Sequence, residues 1–320
     1  MRISTAQIYS SGTNGLLKLQ SDIYKIQNQE ATGKRVVNPS DDPVAAAQIL
    51  QVSQAKSVNK LYTDNQSTAS STLSTLDTTL QSVYDELSAV YASAVQAGNA
   101  SYSDAQRSDI ATQLKQNLTN LLSMANTQDG NGRYVFAGTK STTEPFTVNT
   151  GADSTTDYSS SGNSYVNYNG NDGKQELQVG ASQYVTTNET GSDVFMSVKD
   201  GTGTSTGGSV FDAVQNLVEY LNTSGGSASD AEYTQALSNI QAAMDTVSIR
   251  QAAVGSSETA LTSMTSISDD KKTQYEARLS DLQDLDLVSA QTEVELKKAQ
   301  LTAAASSFAS TSKLSLFDYI

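Results

Sequence analysis

The sequence predicts a mainly α protein, a long antiparallel helical rod formed by the N- and C-terminal segments, with a small β-rich domain inserted in the middle. Three observations predict it. Residues 44–97 contain neither Pro nor Gly, and the stretch from 230 to 320 contains no Pro and only Gly255. Within these stretches apolar residues recur at alternating steps of three and four, the period of a helix face. Between about 133 and 199 the composition shifts to Gly, Ser, Thr, Asn and Tyr in short alternating runs, the pattern of strands and turns.

Taken in order, Leu16, Leu19, Ile23 and Ile26 form the stripe of a first helix, which Gly33 closes. Upstream, Ser10–Gly15 is weak helix sequence, so the first dozen residues are expected to order only against a neighbour. Pro39 forces Asn38 out of the helical region, Ser40 or Asp41 can cap the next helix, and Pro43 suits its first turn. That helix runs to about Gly98 and carries the heptad seam Leu73, Leu76, Leu80, Val83, Leu87, Val90, Ala94 and Ala97. A third begins at Ser103-Asp104 and puts Ile110, Leu114, Asn117, Leu121 and Met124 on one face. Arg133–Gly138 reads as a strand, and 164–168 with 175–179 as a hairpin about the Asn169–Gly173 turn. Segments 150–162 and 200–208 read as loops, and Val210–Leu221 as a short helix.

Ser229-Asp230-Ala231-Glu232 is a capping box, after which Leu237, Ile240, Met244, Val247, Gln251, Val254, Glu258 and Leu261 again step by three and four. One helix or two end-to-end helices then extend to about 313. Two seven-residue rows mark the last third: Leu282, Ser289, Leu296, Ala303, Ser310 and Phe317, and Leu287, Val294, Leu301 and Phe308. At 100° per residue Leu287 and Leu296 lie on opposite sides. A helix apolar on two sides needs two sets of neighbours, and the first helix supplies one, so the other points to assembly. The chain divides into an assembly segment 1–40, a helical part 41–132, a β-rich part 133–208, a helical part 209–280 and a second assembly segment 281–320.

Composition excludes much chemistry. The 320 residues contain no Cys, His or Trp, which removes thiol and imidazole catalysis and the usual zinc ligands. The formal charge of −14 argues against nucleic acid as a partner. No stretch approaches a membrane span, and the N-terminus has no apolar signal region. No cofactor or metal site is expected. Asp41-Asp42 reads as helix capping rather than a cation site, Asn167-x-Asn169-x-Asn171 as a turn rather than a calcium loop, and Gly201-Thr-Gly203 as a loop.

The stretch Thr32–Ala46, with its core Asn38-Pro39-Ser40-Asp41-Asp42-Pro43, resembles the turn between the first two helices of the hook-associated protein 3 (FlgL) family in the flagellin superfamily. Asn131–Thr139, including Tyr134, Phe136 and Gly138, and the following Pro145-Phe146 are similar to that family's entry into its variable domain. The end, Leu314-Ser315-Leu316-Phe317-Asp318-Tyr319-Ile320, resembles it too.

The resemblance implies a non-enzymatic axial protein of the bacterial flagellum, set between hook-associated protein 1 (FlgK) and flagellin and packed beside copies of itself in a ring. It implies unfolded export through the flagellar type III apparatus without a cleaved signal, assisted by a FlgN-like chaperone at the C-terminal region. The expected subunit-interface residues are Leu16, Leu19, Ile23, Ile26, Leu287, Val294, Leu296, Leu301, Phe308, Leu314, Leu316, Phe317, Tyr319 and Ile320. The competing readings are a divergent flagellin and, remotely, a carboxylate-dependent cell-wall glycan hydrolase, for which a helical rod offers no cleft.

Overall fold

The computed structural model describes residues 5–99, 101–149, 164–198, 208–222 and 231–313. It is mainly α, with two small antiparallel strand pairs. The helices are α1 Thr5–Thr32, α2 Pro43–Ala97, α3 Asp104–Ala125, α4 Val210–Asn222, α5 Ala231–Gln283 and α6 Leu287–Lys313. The strands are β1 Phe146–Val148, β2 Val166–Tyr168, β3 Glu176–Gly180 and β4 Gln183–Thr186, followed by a π-helical turn at Ser192–Met196. The chain forms two compact units, one of residues 1–60 and 269–320, the other of 61–268.

In the second unit the predicted seam is realised. Every member from Leu73 to Ala97 is at most 1% exposed. They share a core with Leu114, Leu118 and Leu121 of α3, Val214 and Leu217 of α4, and Ile240, Val247, Val254 and Leu261 of α5. Each large aliphatic side chain so buried contributes about 1.5–3 kcal/mol relative to exposure, so packing of this face contributes more than propensity to holding the long helices. Ser103 caps α3, its hydroxyl accepting from Gln106 N while Gln106 Oε1 accepts from Ser103 N. The boxed residues Ser229 and Asp230 before α5 lie outside the described residues, as do 150–162 and most of 200–208.

Two strand expectations are corrected. Arg133–Gly138 forms no strand, only the isolated bridge of Tyr134 with Gln128 followed by turns. The turn is made by Asp129, whose side chain accepts from Asn131 N and Arg133 N at 2.8 and 2.9 Å. It brings Phe136 edge-on to Phe195 at 5.1 Å, inside an aromatic cluster that also holds Phe146 and Phe211. The segments 164–168 and 175–179 also do not pair with each other. β2 pairs with β1 and β3 with β4, because the intervening residues are tied elsewhere. Asn171 Oδ1 accepts from Thr139 N at 2.7 Å, and Gln175 N donates to Asn188 Oδ1 at 2.7 Å.

In the first unit α1 and α6 pair in opposite directions, since Gly12 meets Phe308 while Asp22 meets Lys297 at 3.0 Å. A Cβ at residue 12 would collide with the Phe308 ring. The C-terminal stretch is two helices rather than one, broken at 284–286, where Asp286 caps α6 by accepting from Val288 N and Ser289 N.

Candidate assembly interface

The corner between α1 and α2 is built by carboxylates. Gly33 takes φ +66°, the left-handed conformation that ends α1. The chain then crosses the break between α5 and α6, where Arg35 N donates to Gln283 O at 2.7 Å and Leu285 N to Gly33 O at 3.0 Å. The cap of α2 is Asp42, not Ser40 or Asp41: Asp42 Oδ1 accepts from Ala45 N at 3.0 Å, and Pro43 is the first helical residue. Asp42 Oδ2 also receives Arg35 at 3.0 Å. Asp41 instead holds the loop, accepting from Asn38 N and Val37 N and pairing with Lys25 at 3.0 Å. Asn38, Pro39 and Ser40 are exposed on the outside of this corner.

These bonds set the charges. The Asn38 N–H and then Lys25 hold Asp41 below its usual pKa. The Ala45 N–H and then Arg35 do the same for Asp42. Asp286 is lowered by the Ser289 hydroxyl and N–H. All three are therefore held as anions: Asp42 and Asp286 fix where α2 and α6 start, and Asp41 holds the loop between α1 and α2.

The residues expected at an interface separate into covered and uncovered sets. Ile23, Ile26 and Val294 are buried within the chain, at 8%, 7% and 2% exposure, and Leu16, Leu19, Leu301 and Phe308 are half-buried. Phe308 meets Tyr9 edge-on at 5.7 Å. The row of Val294, Leu301 and Phe308 thus faces α1, joined by Ala290 in the core with Ile26. Leu287 departs from its row and is 57% exposed, because it is the first residue of α6, where Ala290 takes over the contact. Leu296 on the opposite row is 56% exposed. Leu314, Leu316, Phe317, Tyr319 and Ile320 lie outside the described residues. Leu17, Tyr24, Val44, Leu50 and Val288 are also uncovered, at 62% to 78% exposure. Leu17 and Tyr24 were detectable as a second seven-residue row beside the stripe of α1.

The remaining candidates serve the core of the second unit. Phe136, Pro145 and Phe146 are buried there, Gly138 packs against Asn171, and Tyr134 is half-buried. Tyr168 OH donates to Phe136 O at 3.0 Å and closes the cluster. Among the described residues no group of three or more acidic side chains is placed to hold a metal ion, and no helix is long and apolar enough to cross a membrane.

Known proteins match this arrangement. The bacterial flagellin N-terminal helical region matches residues 3–141. Flagellar hook-associated protein 3 of Escherichia coli is 30% identical over 330 residues, covering 99% of both chains. That of Salmonella typhimurium is 29% identical with the same coverage. The crystal structure of the flagellar junction protein FlgL from Legionella pneumophila superposes with a TM-score of 0.61 at 20% identity, covering 74% of this chain and all of that one. A chain with these helices, this capped corner and end-to-end similarity belongs to the flagellar hook-associated protein 3 family and is a structural protein of the bacterial flagellum.

Proposed function

We propose that this protein sits at the hook–filament junction, between hook-associated protein 1 and the first flagellin subunits, in a ring of its own copies held by packing of its terminal helices. The observation that carries this reading is the unequal use of α6. Its row of Val294, Leu301 and Phe308 faces α1, while Val288 and Leu296 remain 78% and 56% exposed on a helix otherwise rich in small and polar residues. Such apolar surface left on an otherwise polar helix face is the kind that a neighbouring subunit covers. The names of the relatives support the position.

The reading includes export by the flagellar type III apparatus as an unfolded chain, without a cleaved signal, and a FlgN-like chaperone holding the C-terminal region. The absence of cysteine suits that route, since no disulfide could block an unfolded passage. Deletion of residues 311–320 is expected to leave the second unit folded, by amide exchange at Leu80 and Leu114, and to abolish incorporation into flagella. Incorporation at the wild-type level would overturn the proposal. The match to the flagellin N-terminal region favours a second reading as a filament protein, which predicts long filaments from the purified chain alone.

A further inference from the structure

Where α1 ends and α6 begins, Glu30, Leu287, Val288, Gln291 and Thr292 line an open groove of about 520 Å³. Leu287 and Val288 give it an apolar floor, 57% and 78% exposed. Beside them Glu30 Oε1 is buried with no hydrogen-bond partner. An apolar floor next to a buried acceptor lacking a donor suits an occupant that brings apolar side chains and an N–H or O–H together.

Residues 314–320, Leu-Ser-Leu-Phe-Asp-Tyr-Ile, carry that chemistry. Leu314, Leu316, Phe317 and Ile320 are apolar, Ser315 and Tyr319 carry hydroxyl donors, and Asp318 is the one charged side chain among them. We propose that residues 314–320 of one copy occupy this groove on a second copy. The chain's own segment cannot reach it. Thr292 and Lys313 lie on one continuous helix, α6, and their separation along it is about 30 Å at 1.5 Å per residue. Seven fully extended residues span at most about 25 Å, and Leu287 is more distant still.

The inference rests on the assembly reading above and deepens it by naming which surface receives which segment. Because groove and segment are different surfaces, the contact is head-to-tail, so each copy offers one of each and the contact can be repeated around a ring.

The chain has no cysteine, so single introduced thiols report without background. Full-length Val288→Cys and Phe317→Cys variants, mixed under mild oxidation, are expected to give disulfide heterodimer several-fold in excess of either homodimer. No such excess, or closure of the Val288→Cys/Phe317→Cys double variant within one chain at high dilution, would overturn the proposal. A labelled peptide of residues 311–320, titrated onto the full chain by fluorescence anisotropy, should bind about tenfold more weakly to Val288→Asp and unchanged to Ile267→Asp. Equal binding to wild type and Val288→Asp counts against the groove. If deletion of 311–320 blocks incorporation but no heterodimer forms, the groove is wrong and the junction reading stands. If the deletion incorporates normally, the junction reading itself fails.

Discussion

Asp42 caps α2 and anchors Arg35 with the same carboxylate, so its ionisation is linked to the corner between α1 and α2. Its pKa, like that of Asp41 and Asp286, lies below the ordinary 3.8 in the folded chain. Stability from such groups is present above 3.8 and lost as pH falls through the lower folded value. The corner should therefore loosen only in acid below about pH 4, read as loss of amide protection at Val37 and Asn38, and Asp42→Asn should flatten that response. Glu189 in the second unit has the opposite sign. Burial raises it above 4.5 against the pull of Lys174 and Arg250, so its contribution is complete below 4.5 and lost as pH rises through the folded value. Glu189→Gln is expected to raise the melting temperature at pH 7 and to leave it unchanged near pH 4; a lower value at pH 7 would show that the Arg250 pair outweighs burial. Tyr233 OH donates to Ala94 O at 2.7 Å inside the core, and Tyr233→Phe should cost about 1 kcal/mol in urea unfolding.

Among the elements, the long helices were legible because their signal is repeated. Eight seam positions from Leu73 to Ala97 agree on one face, and all eight are buried. Leu80→Ala should cost about 2–5 kcal/mol, measured as a shifted urea midpoint without a change in slope. Two strands, β2 and β3, were legible within 164–168 and 175–179, but not their partners, because each strand is three to five residues long, too short for alternation to choose a partner. The hairpin expected between 164–168 and 175–179 failed for this reason: Asn171 and Gln175 are claimed by Thr139 and Asn188, residues distant in sequence. The break between α5 and α6 had a faint local signal in Asp286 and Ser289, a cap inside an uninterrupted helical pattern. Its cause is the crossing of 33–35 against 283–285, which periodicity does not register.

In the whole molecule, the proposed assembly assigns the covered faces of the helices to folding and the uncovered ones to contact with neighbours. Leu296→Asp should leave the melting curve within about 0.5 kcal/mol of wild type, because the residue is exposed in the single chain. Incorporation into flagella should nevertheless fall about tenfold, as expected for a contact made only with a neighbour; normal incorporation would remove Leu296 from the interface. The sequence by itself determined the long helices, the Gly33-to-Pro43 corner and the apolar row Val294, Leu301 and Phe308 on α6, with Leu296 on the opposite side. These follow from the helical period and from backbone rules for Gly and Pro, which act over a few residues. Only the tertiary structure decided that Asp42 rather than Asp41 caps α2, that β1 pairs with β2, and that Val294 faces α1 while Leu296 faces outward. Each of those choices depends on which distant residue supplies the competing hydrogen bond or apolar surface, and a local pattern holds no information about that.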